Sequence, residues 1–216
     1  MNQANHSIRL PVIRLLFLVL LLAPAWYPAA NERLAVVLEV QGAIGPATVD
    51  YVRRGIEAAN QQDASLIILR IDTPGGLDTA MRDIIQDILV SPVPVVSYVS
   101  PSGARAASAG TYILYASHVY AMAPGTNLGA ATPVEISAVP DPKGLMDKDG
   151  ADGGGHNAME SKRINDAVAY IRSLAQLHDR NIEWAELAVR EAASLSASDA
   201  LEMQVIDLLA ADLTDL

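Results

Sequence analysis

The chain has 216 residues, 51% of them apolar, and no cysteine. That length suits one domain with a sizeable core, and the missing thiols exclude a disulfide framework or a thiolate metal site. Acidic residues outnumber basic ones by 25 to 15, a formal charge of −10, which excludes affinity driven by nucleic-acid phosphates.

Residues 1–30 read as a signal peptide or N-terminal anchor. Arg9 and Arg14 precede the apolar run Leu15–Ala23, and small residues follow at Ala23-Pro24-Ala25 and Pro28-Ala29-Ala30. The apolar run is shorter than the roughly 20 residues a membrane span needs. The expected address is therefore an exported one, on the periplasmic or extracytoplasmic face and membrane-associated.

From Leu34 onward, strands and helices alternate. Leu34–Val40 is a β-branched run expected as a buried strand. Ala47–Asn60 has helical apolar spacing at Val49, Val52, Ile56 and Ala59. Ser65–Ile71 is a second strand, broken by Asp72-Thr73-Pro74-Gly75-Gly76. Leu77–Leu89 is helical, ended by Pro92 and Pro94. Val95–Val99 is a third strand, Ser108–Ala116 a helix and His118–Met122 a short strand. Pro124–Ala131 is expected as a glycine-containing loop. Helix resumes near Met159 and runs through Ala175. A further helix starts at Asn181, and a short one follows the weak capping box Ser196-Ala197-Ser198-Asp199. Val205–Leu209 closes the series as a final strand. This alternation predicts an α/β fold with a mostly parallel sheet flanked by helices.

Residues 134–158 break the alternation. Their prolines, glycines and aspartates predict a mobile flap. Asp147, Asp149, Gly150 and Asp152 invite a cation-loop reading. No glutamate stands at the distance an EF-hand requires, however, and the register is wrong. No metal and no cofactor are expected.

The stretch Gly103–Thr111 sets one hydroxyl, Ser108, among alanines and glycines just after a strand. Such a run is either a tight helix-packing contact or the setting of a nucleophile. A nucleophilic serine needs a base. His118, His156 and His178 lack a persuasive context, although triad geometry does not follow sequence order. Only three lysines exist. Lys143 and Lys148 fall among the flap aspartates, whereas Lys162 stands near a helix start, facing either solvent or core. A desolvated lysine gives up its proton more readily and can act as a base. Backbone amides at Thr73-Pro74-Gly75-Gly76 and just after Ser108 could hold an oxyanion. Pro-Gly-Gly alone is equally a turn.

Taken together, these stretches resemble the Clp-protease/crotonase superfamily, whose fold is built of repeated ββα units. Asp72–Gly76 resembles its oxyanion loop, Ala106-Ala107-Ser108-Ala109-Gly110 its nucleophile turn, and Leu195–Asp207 its C-terminal motif, with Gln204 where glycine is usual. The likeness is closer to the NfeD-type membrane-bound serine proteases, which are encoded with stomatin-like proteins. Tyr98–Ile113, Ala121–Ala130 and Lys162–Ala175 carry it, and it covers about residues 33–212. The position of the Clp histidine falls on Ala131, and the position of the NfeD lysine on Lys162.

The resemblance implies a Ser108–Lys162 dyad, an oxyanion hole at Gly76 and Ala109, and a substrate path by Gly75, Leu77, Leu128 and Val134. It implies a serine endopeptidase domain over residues 31–216 that cleaves hydrophobic segments of membrane-associated proteins, with a stomatin-like protein as partner or substrate. It also implies a homodimer or larger homo-oligomer. Long members continue into membrane spans and a small β-barrel, and the sequence stops at Leu216 before either. The alternative is a catalytically silent scaffold that binds a stomatin-type partner or peptide. An acyl-CoA enzyme of the same fold is a distant third, because export separates it from that substrate.

Overall fold

The computed structural model of the chain describes residues 33–134 and 153–216. The expected leader, the aspartates of the flap and Lys143 and Lys148 lie outside the described residues. Leu34–Leu216 form one compact unit.

Five strands make the main sheet: β1 (Ala35–Gln41), β2 (Leu66–Asp72), β3 (Val95–Val99), β5 (Val119–Met122) and β8 (Leu208–Leu209). They pair in the order β1-β2-β3-β5-β8, all parallel. The helices between them are α1 (Pro46–Gln61), α2 (Asp78–Leu89), α3 (Ala109–Ala116), α4 (Gly153–Leu177), α5 (Ile182–Arg190) and α6 (Ala197–Glu202).

Side chains alternate across a strand, so β2 feeds both faces of the sheet. Ile67, Leu69 and Ile71 enter the main core, which also takes the buried stripes of all six helices. Ile68 points the other way, into a smaller cluster with Val96, Tyr98, Ala121, Ala123 and Ala210. Among the described residues, no helical one belongs to that cluster. The segment after β8 supplies it instead, and the Tyr98 hydroxyl donates to the Ala210 carbonyl at 2.7 Å.

A second sheet was not expected. Its strands are β4 (Arg105–Ala107), β6 (Asn127–Gly129) and β7 (Ser194–Ser196), with β4 parallel to β6 and β7 antiparallel to it. Each has three residues, and two lie in glycine-rich stretches that read as loops. Two other boundaries differ. The final strand shrinks to Leu208–Leu209, because the Asp207 amide and carboxylate are both engaged with the Tyr120 backbone before pairing begins. Helix α4 starts at Gly153, inside the stretch assigned to the flap. Three glycines, poor helix formers, occupy the first turn of a 25-residue helix.

Candidate active site

Parallel strands β2 and β3 both end toward one edge, where α/β folds place their sites. After β3 the chain forms β4 and turns into α3 at Ser108. Ser108 has φ 52 and ψ −116. A non-glycine residue held there is strained, at a cost of about 1–3 kcal/mol. Neighbouring bonds hold it in place. The Ser108 amide donates to the Gly129 carbonyl at 3.0 Å and the Ala107 amide to the Thr73 carbonyl at 3.0 Å. The Thr111 hydroxyl donates to the Ala106 carbonyl at 2.9 Å. Ser108 makes no side-chain cap bond, so its hydroxyl is not spent on the helix end. The packing reading of the small-residue run applies at one of its residues. Gly110 is the packing contact, since a Cβ there would sit 2.6 Å from Thr73 Cγ2. Ser108 faces the loop after β2.

That loop is locked from beneath. The Thr73 hydroxyl donates to the Gly42 carbonyl at 2.6 Å and accepts the Gly75 amide at 3.0 Å. Ile44 forms a parallel bridge to Gly76, with its amide on the Gly75 carbonyl and its carbonyl taking the Leu77 amide. The Gly76 amide is thereby turned away from Ile44. Gly75 has φ +116, and a Cβ there would sit 2.6 Å from Ser108 Cβ and 3.0 Å from Oγ. A Cβ on Gly76 would fall 2.1 Å from the Ile44 oxygen. The Pro-Gly-Gly signal therefore reports two close approaches and not merely a turn.

A cavity of about 270 Å³ opens at Ser108. Gly76 and Ala109 line it, as do the apolar side chains of Leu77, Met81, Pro133 and Val134. The amides of Gly76 and Ala109 donate to no protein acceptor among the described residues. Ala109 is the first residue of α3, where amides have no helical partner. Two unpaired donors beside a hydroxyl can stabilise charge developing on a carbonyl oxygen.

The other expected residues divide. Leu77 is 44% exposed and Val134 77% exposed at the cavity mouth. Leu128 is not at the cavity. It is 1% exposed within β6, where the second sheet turns its side chain into the core. Lys162 lies on α4 and is exposed, and it does not line the cavity. Its helix does reach the cavity through Ala167. Ala131, where a Clp histidine would stand, is 2% exposed and accepts the Tyr112 hydroxyl at 3.1 Å. His118 precedes β5, beyond the far end of α3, and its Nδ1 accepts the Val95 amide at 3.1 Å. His178 packs edge-on against His118, with ring centroids 6.0 Å apart. Neither histidine faces Ser108.

Sequence reasoning missed the charged and aromatic wall. Arg82 lines the cavity and donates to Asp78 at 2.9 Å and to Asp166 at 2.6 Å. Its guanidinium carbon lies 4.3 Å from the Tyr170 ring centroid. Tyr170 stacks on Tyr112 with centroids 6.1 Å apart. Partial burial opposes the Arg82 charge, but Asp78 and Asp166 outweigh it and raise its pKa. Burial also raises the Tyr112 phenol, which stays protonated. Asp78 and Arg82 stand four apart on a helix, a spacing visible in the sequence. Nothing in the sequence ties Arg82 to Tyr170 or Asp166.

A strained serine at a strand-to-helix turn, facing a glycine loop at the ends of parallel strands, defines an α/β domain of the Clp-protease/crotonase type. Within that class, the chain belongs to the NfeD1b family as its N-terminal domain, which matches residues 35–215. It is 39% identical over 189 residues to the membrane-bound protease PH1510 of Pyrococcus horikoshii, covering 88% of this chain. It is 37% identical over 121 residues to the membrane protein NfeD1b of Bacillus subtilis, covering 56% of this chain. The chain spans 40% of the first relative's length and 27% of the second's.

Two solved structures of the 1510-N membrane-bound stomatin-specific protease are similar. One is a serine-to-alanine mutant, with TM-score 0.73, 38% identity and coverage of 84% of this chain and 82% of that one. The other is a lysine-to-alanine mutant with a substrate peptide, with TM-score 0.72, 39% identity and coverage of 86% and 78%. Among the described residues, no helix is long and apolar enough to cross a membrane, and no group of potential ligands could hold a metal ion.

Proposed function

We propose that this chain is the protease domain of an extracytoplasmic, membrane-associated serine endopeptidase that uses a Ser108–Lys162 dyad. The observation that carries the reading is the strained Ser108, whose hydroxyl is pressed over Gly75 in a cavity walled by the Gly76 and Ala109 amides. Two similar structures, a serine mutant and a lysine mutant of a stomatin-specific protease, support it.

The Lys162 amine takes the Ser108 proton as Oγ bonds to the peptide carbonyl carbon. The Gly76 and Ala109 amides hold the oxyanion. The intermediate collapses, the C–N bond breaks, and the Lys162 ammonium protonates the leaving amine. Lys162 then deprotonates a water, which attacks the acyl ester; the ester C–O bond breaks, and the Lys162 ammonium returns the proton to Ser108 Oγ. Lys162 is exposed on α4, so the reading requires its end of α4 to approach Ser108 when substrate binds.

Substrates are apolar segments, which match the apolar cavity wall and mouth. An extended peptide at the edge near Gly76 would be read by main-chain bonds. The partner or substrate class is a stomatin-like membrane protein, and the working form is a homodimer or larger. Cleavage of an internally quenched apolar peptide by wild type, Ser108→Ala and Lys162→Ala tests the reading. Wild type should cleave, and each variant should lose at least about a thousandfold. Undiminished cleavage in either variant overturns the dyad. A chain that binds a stomatin tail and cuts nothing is the silent scaffold instead.

A further inference from the structure

We propose that Arg82 is a positioning residue: bridged to Asp78 and Asp166 and laid on Tyr170, it sets α4, and with it Lys162, against the Ser108 helix. This inference rests on the proposed dyad and adds the device that aligns it.

The candidate catalytic parts come from three places. The oxyanion loop runs directly into α2, Ser108 caps α3, and Lys162 rides on α4. Nothing covalent fixes α4 to the other two near the cavity. Arg82 carries the charged contact from α2 to α4. It projects from α2 and reaches across to Asp166 at 2.6 Å while Asp78 holds it from its own helix at 2.9 Å. Tyr170, one turn beyond Asp166, lies under the guanidinium and stacks on Tyr112 of α3. Lys162 stands four residues before Asp166, one helical turn away. The chain of contact therefore runs from α2 through Arg82 and Tyr170 to Tyr112, beside Ala109.

Two observations set this apart from an ordinary surface pair. The Arg82 side chain is 33% exposed, whereas its partners Asp78 and Asp166 are 68% and 70% exposed, so the guanidinium is the ordered centre and the carboxylates reach in to it. Arg82 also lines the cavity, yet carboxylates engage it from two directions. It is not a free cation waiting for a substrate carboxylate. Its planar fork can bond two acids and stack on a ring at once, which a lysine ammonium cannot do.

The test measures hydrolysis of an internally quenched apolar peptide by wild type, Arg82→Ala, Arg82→Lys, Asp166→Asn and the Arg82→Ala/Asp166→Asn double variant. Arg54→Ala, at an exposed pair with Asp50, is the control. Arg82→Ala and Asp166→Asn should each lower kcat by about ten- to a hundredfold with KM within about twofold, because misplacement costs rate more than binding. Arg82→Lys should rescue little, the double variant should lose no more than either single one, and Arg54→Ala should match wild type. Asp166→Asn removes only an exposed carboxylate and leaves the cavity wall intact, so its fold is not at risk. Wild-type kcat in Arg82→Ala or Asp166→Asn, in a chain whose cleavage still needs Ser108 and Lys162, overturns the inference and leaves the dyad standing. Cleavage independent of Ser108 overturns the dyad reading. Backbone amide exchange gives a readout without activity. Asp166→Asn should speed exchange over residues 158–166 by at least about tenfold with β2 and β3 unchanged, and unchanged exchange there overturns the inference even in a chain that cleaves nothing.

Discussion

Ser108 is held where glycine would be at ease, and that has a measurable consequence. Replacing it with alanine removes the hydroxyl but keeps the strain at φ 52. Replacing it with glycine removes both. Ser108→Gly should therefore be more stable than Ser108→Ala by about 1 kcal/mol, after the entropy of an added glycine is counted. Urea unfolding of the two variants measures this, and a glycine variant no more stable than alanine would show that the turn stores nothing. Gly75 carries the complementary constraint. Ser108 occupies the space where a Gly75 Cβ would go, and φ +116 disfavours any side chain. On the proposed mechanism, Gly75→Ala should cut hydrolysis by about a hundredfold or more while the sheet stays folded, because it displaces the Ser108 hydroxyl and the neighbouring Gly76 amide together. Circular dichroism alongside peptide hydrolysis separates the two effects. At this scale the sequence was informative where chemistry forces a residue type: a Gly-Gly turn after a strand and a helix start, both able to offer amides. It was silent on the reach of Arg82 to Asp166 and Tyr170, 84 and 88 positions away in the chain.

The loop between β2 and α2 is the element on which the candidate site depends, and Thr73 is its fastening. The side chain is fully buried and serves two backbone groups at once, the Gly42 carbonyl and the Gly75 amide. Thr73→Val keeps the shape and leaves both groups unsatisfied. It should cost about 1–3 kcal/mol of stability and lower kcat beyond what that loss explains, because Gly75 and Gly76 are no longer held. Thermal unfolding and peptide hydrolysis on the same sample check both parts. The elements themselves were legible to different degrees. Helices α1, α2 and α5 and strands β1, β2 and β3 were clear, since each repeats one period over enough residues to register. The second sheet was not, because three-residue strands carry no period and its glycines serve close packing. A Cβ on Gly129 would fall 2.2 Å from the Ala193 oxygen. The start of α4 was misread for a related reason: three glycines signal a break locally, but the long helix that follows carries its first turn with it.

Across the whole molecule, charge and burial meet at the end of the sheet away from the candidate site. His178, at the end of α4, packs against His118 and Tyr120 beside the Arg180–Asp207 pair. Burial, then the neighbouring His118, hold its pKa below the ordinary imidazole value of 6.5, while a hydrogen bond with the Ala116 backbone pulls the other way. Its Nε2 is buried with no hydrogen-bond partner among the described residues, as suits a neutral ring. The unfolded chain therefore takes up this proton before the folded one as pH falls. Stability is fully present above the unfolded pKa, near 6.5, and is lost as pH drops through the lower folded value. Glu186 responds in the same direction but further into acid, since hydrogen bonds from Arg190 and then Arg172 hold it below an ordinary carboxylate. The two contributions occupy different windows. The melting temperature of wild type should fall between about pH 7 and pH 5, and His178→Gln should flatten that slope without changing the fall seen below it. An unchanged slope would assign the acid sensitivity in this range to another group. If α4 is anchored at this end by His178 and at the other by Arg82 and Asp166, mild acid should loosen only the His178 end. Amide exchange near residues 174–180 should then quicken at about pH 5 while residues 158–166 stay protected. Loosening of both ends together would mean that α4 moves as one rigid body, with the Lys162 end unable to shift alone.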